Sequence, residues 1–255
     1  MKTVQVGNLV LGEGRPKICL PIAEAGREDI LRAAGELLSL PGDLAEWRGD
    51  WYEEVLVPQK AVSMLESLRE ILGQTPLLFT FRTQAEGGVR AVSPEEYEAL
   101  LRQVIASRAA DLVDIELFTL GERGRKLIKQ AHENGLKTVL SSHDFEKTPP
   151  EEELLERLAR MADYGADLPK IAVMPQSPQD VLTLLSAASR FSQENGGRPL
   201  IAMSMGHLGM ISRVCGEAFG SCLTFGSASR ASAPGQLPAE ALDKLLDLFG
   251  GEGPR

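Results

Sequence analysis

The chain is poor in the residues that carry most metal, redox and stacking chemistry. It has three histidines, three cysteines and an aromatic fraction of 5% in 255 residues. Cys19, Cys215 and Cys222 are odd in number and lack C-x-x-C spacing, which argues against a disulfide framework and fits a reducing cytoplasm. The same scarcity argues against a His/Cys zinc site. Positive charge is not in surplus either: 27 Lys+Arg against 36 Asp+Glu leave a net charge of −9, whereas a nucleic-acid partner needs a basic face. No apolar run approaches the roughly 18 residues of a membrane-spanning helix. The start, "MKTVQVGNLVLGEG", has no charged segment followed by a long apolar one, so it reads as lacking a signal peptide. No G-x-G-x-x-G follows any β-rich segment, which removes the usual dinucleotide signal. With no repeat, linker or low-complexity stretch to divide it, the chain 1–255 reads as one domain.

What is present is alternation. Eight short β-rich segments, "KICLPI" (17–22), "LAEWR" (44–48), "PLLFTFR" (76–82), "LVDIEL" (112–117), "LKTVLSS" (136–142), "LPKIAVM" (168–174), "PLIAMSM" (199–205) and "CLTFG" (222–226), are separated by helical patterns such as "PEEYEALLRQVIASRAA" and "SPQDVLTLLSAASRFSQENGG". Ser93 and Ser177 stand where helices start; Gly135, Gly165 and Gly196 stand where they end. Eight such strands in a chain of this length predict a closed (β/α)₈ barrel of the TIM type. "VQVGNLVLGEG" turns at Gly-Asn and predicts a β-hairpin closing the bottom of that barrel. The tail "GEGPR" reads as frayed.

A barrel gathers its chemistry at the C-terminal ends of its strands. Reading only those ends gives Glu46 and Arg48, Arg82 and Glu86, then Glu116, His143, Lys170, Met203 and Met205. Lys170 is the oddity, an ammonium group inside "GADLPKIAVMPQS". It could mark the start of a strand and carry its charge out to water. Strand alternation argues otherwise, placing Ile171 and Val173 against the helices and Lys170, Ala172 and Met174 inside the barrel. Buried there, a lysine with a reference pKa near 10.4 is expected to lose proton affinity, and a drop of about 3 units would make it a nucleophile toward carbonyls. His143, in a loop position just past a strand, would supply the acid/base group that imine chemistry needs near pH 7. His132 reads as a surface residue at a helix end; His207 is ambiguous between site and scaffold.

These segments resemble one family. "EWR" (46–48), "FTFR…EGG" (79–88), "DIEL" (114–117), "SSHD" (141–144), "KIAVMPQSPQDV" (170–181), "SMGHLGMISR" (204–213) and "TFGSASRASAPGQ" (224–236) occur in the order and spacing of type I 3-dehydroquinate dehydratases, over roughly residues 4–250. The resemblance implies a (β/α)₈ barrel, usually a homodimer, that needs no metal or organic cofactor, and the cysteine usage places it in the cytoplasm. It implies dehydration of 3-dehydroquinate to 3-dehydroshikimate by syn elimination, with Lys170 forming the imine, His143 as general acid/base and Glu86 orienting it. On the same basis Arg213 faces the substrate carboxylate, and Ser232 and Gln236 sit on a closing loop. Glu46, Arg48 and Arg82 hold ring hydroxyls, while Met203, Met205, Phe145 and Phe225 line the pocket. Pro21, Ser142 and His207 depart from the family's usual residues. A Schiff-base aldolase barrel would share the lysine but would usually bind a phosphate, and no phosphate loop is evident. A non-catalytic barrel binding a small acid would keep Arg213 without needing Lys170 and His143 together.

Overall fold

The computed structural model describes residues 2–228 and 233–249. Residues 229–232, which include Ser232, and residues from 250 lie outside them. Eight parallel strands follow one another round the inner ring: β1 (Lys17–Ile22), β2 (Leu44–Arg48), β3 (Leu77–Thr80), β4 (Leu112–Glu116), β5 (Lys137–Asp144), β6 (Leu168–Val173), β7 (Ile201–Ser204) and β8 (Leu223–Ser227). β8 pairs with β1 through Leu223 opposite Lys17. The remaining seam, between β7 and β8, is joined by a bridge from Leu200 to Ser221 and by Cys222 N–H donating to the Leu200 carbonyl at 2.9 Å. The ring therefore closes as the sequence predicts. A two-residue strand, Leu237–Pro238, pairs with the end of β8 on the edge away from β1 and carries the chain into the last helix.

Helices cover the outside: α1 (Arg27–Leu37), α2 (Pro58–Leu72), α3 (Pro94–Ser107), α4 (Glu122–Glu133), α5 (Glu151–Asp163), α6 (Pro178–Glu194), the single turn α7 (Ile211–Val214) and α8 (Ala239–Phe249). Each long one buries a stripe at helical spacing. In α4 it is Gly124, Leu127, Ile128 and Ala131; in α5 it is Leu154, Leu158 and Met161. Each such leucine removed from water stabilises by about 1.5–3 kcal/mol. Ser93 forms a capping box with Glu96, the Glu96 N–H donating to its hydroxyl at 3.2 Å and its own N–H to the Glu96 carboxylate at 3.0 Å. The helix over 58–72, which the sequence reading did not single out, buries Ala61, Met64, Leu65, Leu68 and Leu72. Between β7 and β8 there is only α7 with short 3₁₀ turns beside it, Leu208–Met210 and Gly216–Phe219.

Alternation along the strands sorts the ring into two faces. Ile18, Leu20, Ala45, Trp47, Phe79, Val113, Ile115, Ile171 and Val173 belong to the core shared with the helices. Leu44, Leu78, Leu112, Val139, Leu168, Ile201 and Leu223 point inward near the strand starts and pack with Val6 and Leu11. Those two come from the hairpin strands Val4–Val6 and Leu9–Leu11, which close the bottom of the barrel as expected. The apolar floor frees the upper half of the interior for polar side chains.

Candidate active site

Two residues above that floor, the same strands turn charged. Inward positions there are Glu46 and Arg48 on β2, Thr80 and then Arg82 on and just past β3, Asp114 and Glu116 on β4, Ser141 and His143 on β5, and Lys170 on β6. They surround a cavity of about 140 Å³ at the C-terminal mouth, whose lining includes Glu46, Arg48, Arg82, His143, Phe145, Lys170, Met203, Met205, Arg213, Phe225 and Gln236. Of the residues singled out in the sequence, Glu86 stands one contact behind this lining, and Ser232 is not among the described residues.

Lys170 points inward and is 4% exposed. Its Nζ donates to Asp114 Oδ2 at 3.1 Å and lies 4.7 Å from the centre of the Phe225 ring. An anionic oxygen at that distance balances a positive charge on the nitrogen, in an ammonium or an iminium alike.

His143 lies within β5, not after it, so its orientation is fixed by the sheet. Its Nδ1 is 2.8 Å from Glu86 Oε2, and its backbone N–H donates to the same oxygen at 3.1 Å. Nε2 is thereby left for the cavity. Burial, then the neighbouring charges of Arg82, Lys170 and Arg48, hold the imidazole well below its ordinary value. Burial and the nearby Glu116 push Glu86 up to about 8 against the attraction of Arg82, with Asp114 adding to the rise. The two titrate as a pair: with the shared proton the pair presents Nε2–H to the cavity, and without it an Nε2 lone pair. That is the property a group acting as both base and acid requires.

The Glu86 loop is held in place by close packing. At Gly87, where φ is 84°, an added Cβ would lie 2.2 Å from the Phe145 ring, and at Gly88 1.8 Å from the Arg82 carbonyl oxygen. The two glycines of "EGG" are thus steric requirements. Glu116, fully buried, accepts from Thr83 N–H at 2.8 Å, from the hydroxyls of Thr83 and Thr119 at 2.7 and 2.6 Å, and from Arg82. It anchors the loop that carries Glu86.

The three arginines differ. Arg48 is forked onto Asp50 with two contacts of 2.9 Å. Arg82 is ringed by Asp114 at 2.8 Å, Glu116 at 3.0 Å and Glu86 at 3.5 Å. Burial works against its charge, but these carboxylates hold it well above its ordinary value. Arg213 has no carboxylate partner among the described residues. One of its nitrogens donates to the Pro234 carbonyl at 2.9 Å, another meets Met203 Sδ at 3.8 Å, and its Nε has no hydrogen-bond partner. Burial pulls it down to about 10. A buried, unbalanced guanidinium facing a cavity is a seat for an anion.

The departures noted in the sequence fall mostly away from this chemistry. Ser142 faces outward and accepts from Arg157 at 3.2 Å. His207 is exposed in the loop after β7 and does not line the cavity. His132 pairs with Asp167 at 2.8 Å on the opposite side of the strands. Pro21 is buried in β1. The sequence reading passed over Asp114 and Asp50. Asp114 shares its face with Glu116 by the same alternation that placed Lys170, so its signal was present. Among the described residues, no group of three or more His, Cys, Asp and Glu side chains is arranged to hold a metal ion, and no helix is long and apolar enough to cross a membrane.

Comparison with known proteins agrees with this arrangement. Residues 18–252 match the family model described as type I 3-dehydroquinase. Proteins named 3-dehydroquinate dehydratase from Enterococcus faecalis and Syntrophotalea carbinolica are 50% and 49% identical over 249 residues, with 98% of each chain covered. The crystal structure of type I 3-dehydroquinate dehydratase from Clostridium difficile with covalent modified comenic acid superposes with a TM-score of 0.94 at 45% identity, over 97% of this chain and 98% of that one. With its family model, its relatives and its barrel in agreement, the chain belongs to the type I 3-dehydroquinases.

Proposed function

We propose that the protein is a 3-dehydroquinate dehydratase of the shikimate pathway that removes water by syn elimination through an imine on Lys170. The observation that carries this reading is the shared cavity: Lys170, His143 with Glu86 directly behind it, and Arg213 meet at one cavity in the barrel mouth. Relatives of the same name at 49–50% identity support the substrate. The covalent modified comenic acid in the Clostridium difficile enzyme supports a nucleophile in such a cavity.

The chemistry follows from the positions. The substrate carboxylate is held by Arg213, with Gln236 beside it and Glu46, Arg48 and Arg82 around the ring hydroxyls; Ser232 is assigned to the same end of the substrate on the family likeness alone. Lys170 Nζ, as the free amine, adds to the ketone carbon, and the carbinolamine oxygen leaves as water on taking the proton of the His143–Glu86 pair, which gives an iminium and frees the Nε2 lone pair. The iminium withdraws electrons from the adjacent C–H, and His143 Nε2 takes that proton. The electron pair moves into the C–N system and then expels the β-hydroxyl, which leaves as water with the proton returned by His143. One group serving both steps requires departure on the face from which the proton came, hence syn geometry. Water then hydrolyses the imine to release 3-dehydroshikimate and free Lys170. Met203, Met205, Phe145 and Phe225 keep the site dry, which strengthens each of these electrostatic contacts.

Borohydride reduction in the presence of 3-dehydroquinate tests the reading. One ligand per chain on the peptide containing Lys170 is expected; labelling of another lysine, or of none, overturns it. We further place the enzyme in the cytoplasm as a homodimer, supported by the family likeness and by the free thiols of buried Cys19 and Cys222. Sedimentation at micromolar concentration checks the second part, a monomer being the contrary result.

A further inference from the structure

We infer that Asp114 is a positioning residue for the reaction: it fixes the Lys170 nitrogen and serves as the fixed counter-charge of the iminium. The inference rests on the imine reading above and deepens it. Asp114 is fully buried on β4, two strands from Lys170, and both side chains reach inward past Ser141 on the strand between them. Each carboxylate oxygen is committed. Oδ1 accepts from the Ser141 hydroxyl at 2.5 Å, and Oδ2 accepts from Lys170 Nζ at 3.1 Å and is 2.8 Å from an Arg82 nitrogen. A carboxylate held by three donors cannot swing away when the nitrogen changes from amine to iminium.

The charges around the nitrogen decide what Asp114 can do. Glu46 shares the cavity lining, with Cys19 lying behind on β1; Arg82 comes from β3 and His143 from β5. Glu46 accepts from Thr80 at 2.7 Å, and Glu86 and Glu116 are occupied by His143 and the Thr83 loop. Asp114 is thus the carboxylate in contact with Nζ. Burial works against its charge, but Arg82, Lys170 and Ser141 together hold Asp114 below the usual carboxylate range, so it stays an anion and does not serve as the base. An anion there does nothing for the first attack on the ketone carbon, which needs the nitrogen's lone pair. Once the imine forms, the same anion accepts the remaining N–H and keeps the nitrogen protonated. Only the protonated imine withdraws electrons well enough to acidify the neighbouring C–H. Asp114 therefore helps the elimination and not the initial attack.

Asp114→Asn keeps the shape and removes the charge; Arg82 retains Glu116 and Glu86 as partners. In this variant borohydride should still attach substrate to Lys170, while kcat falls by about 10²-fold or more, the scale for losing one preorganised electrostatic contact to a developing charge. The rate of trapping should change far less than kcat, because Asp114 acts after the imine has formed; a scaffold role alone would lower both together. Ser141→Ala, which frees Oδ1, removes one Arg82 contact and leaves Lys170 untouched, should give a smaller loss of kcat with trapping unchanged, and serves if the first variant does not fold. Wild-type kcat in either variant's folded form overturns the role of Asp114 with the imine reading intact. Failure of the wild-type protein to trap substrate at Lys170 overturns the imine reading itself.

Discussion

The lower and upper halves of the barrel interior are built from the same strands, two residues apart, and they have opposite characters. Leu44, Leu78, Leu112 and Leu168 fill the lower half; Glu46, Thr80, Asp114 and Lys170 stand directly above them. Both halves are buried, so both hold their side chains away from bulk water. The lower half is stable by default, because close-packed aliphatic groups need no partners. The upper half holds at least three carboxylates within reach of Arg82, and it is tolerable only because each finds a donor. The floor supplies rigidity and stability, the upper layer gathers the titratable and cationic groups, and Arg213 is a cation there with no carboxylate partner among the described residues.

The comparison breaks most visibly at Lys170. Lys170→Ala should reduce turnover to the uncatalysed background and abolish borohydride labelling, as seen by steady-state assay and peptide mass mapping. His143→Ala should still trap substrate on Lys170 but lose kcat by about 10²–10⁴-fold, the range for a general acid/base. Equal kinetics for His143→Ala and wild type would remove the His143–Glu86 pair from the mechanism. Below the site the order of effects reverses. Leu78→Ala should cost about 2–5 kcal/mol of unfolding free energy in urea, with kcat of the folded enzyme near wild type.

The pH dependence of stability sharpens the contrast. In the folded chain Glu86 keeps its proton up to about 8, whereas in the unfolded chain it loses it near the ordinary 4.5. Raised in this way, it favours the folded state below 4.5, and that contribution is lost as pH climbs to about 8. His143, depressed from 6.5, acts oppositely: it favours folding above 6.5 and loses that contribution as pH falls through its lower folded value. Above 6.5 its imidazole is neutral in both states, so between pH 6.5 and 8 Glu86 acts without it. Glu86→Gln should therefore lose less stability than wild type across that interval, read as the shift in urea midpoint. Parallel slopes would show that the carboxyl is not strained by burial. The smallest effect is expected at Ser142→Ala, on the outward face, at about 0.5–1.5 kcal/mol for one hydrogen bond and no change in kcat.

Local pattern and tertiary contact divided the work unevenly. The sequence by itself determined the barrel, because strand and helix periods are local and eight alternating units leave few ways to bury them. It also determined that Lys170 points inward, since period-2 alternation beside Ile171 and Val173 allows no other face. The same rule applied to "DIEL" would have put Asp114 beside Glu116. Its importance could not be read there, because contact with Lys170 spans two strands and 56 residues of chain. The placement of His143 within a strand depended on β5 extending to Asp144 by pairing with β6 through Val173. Only the tertiary structure decided which charges cancel. Asp50 takes Arg48, three carboxylates take Arg82, and Arg213, on a single helical turn, is brought to the mouth with none among the described residues. Electrostatic balance depends on distance and burial in three dimensions, and no spacing along the chain encodes either.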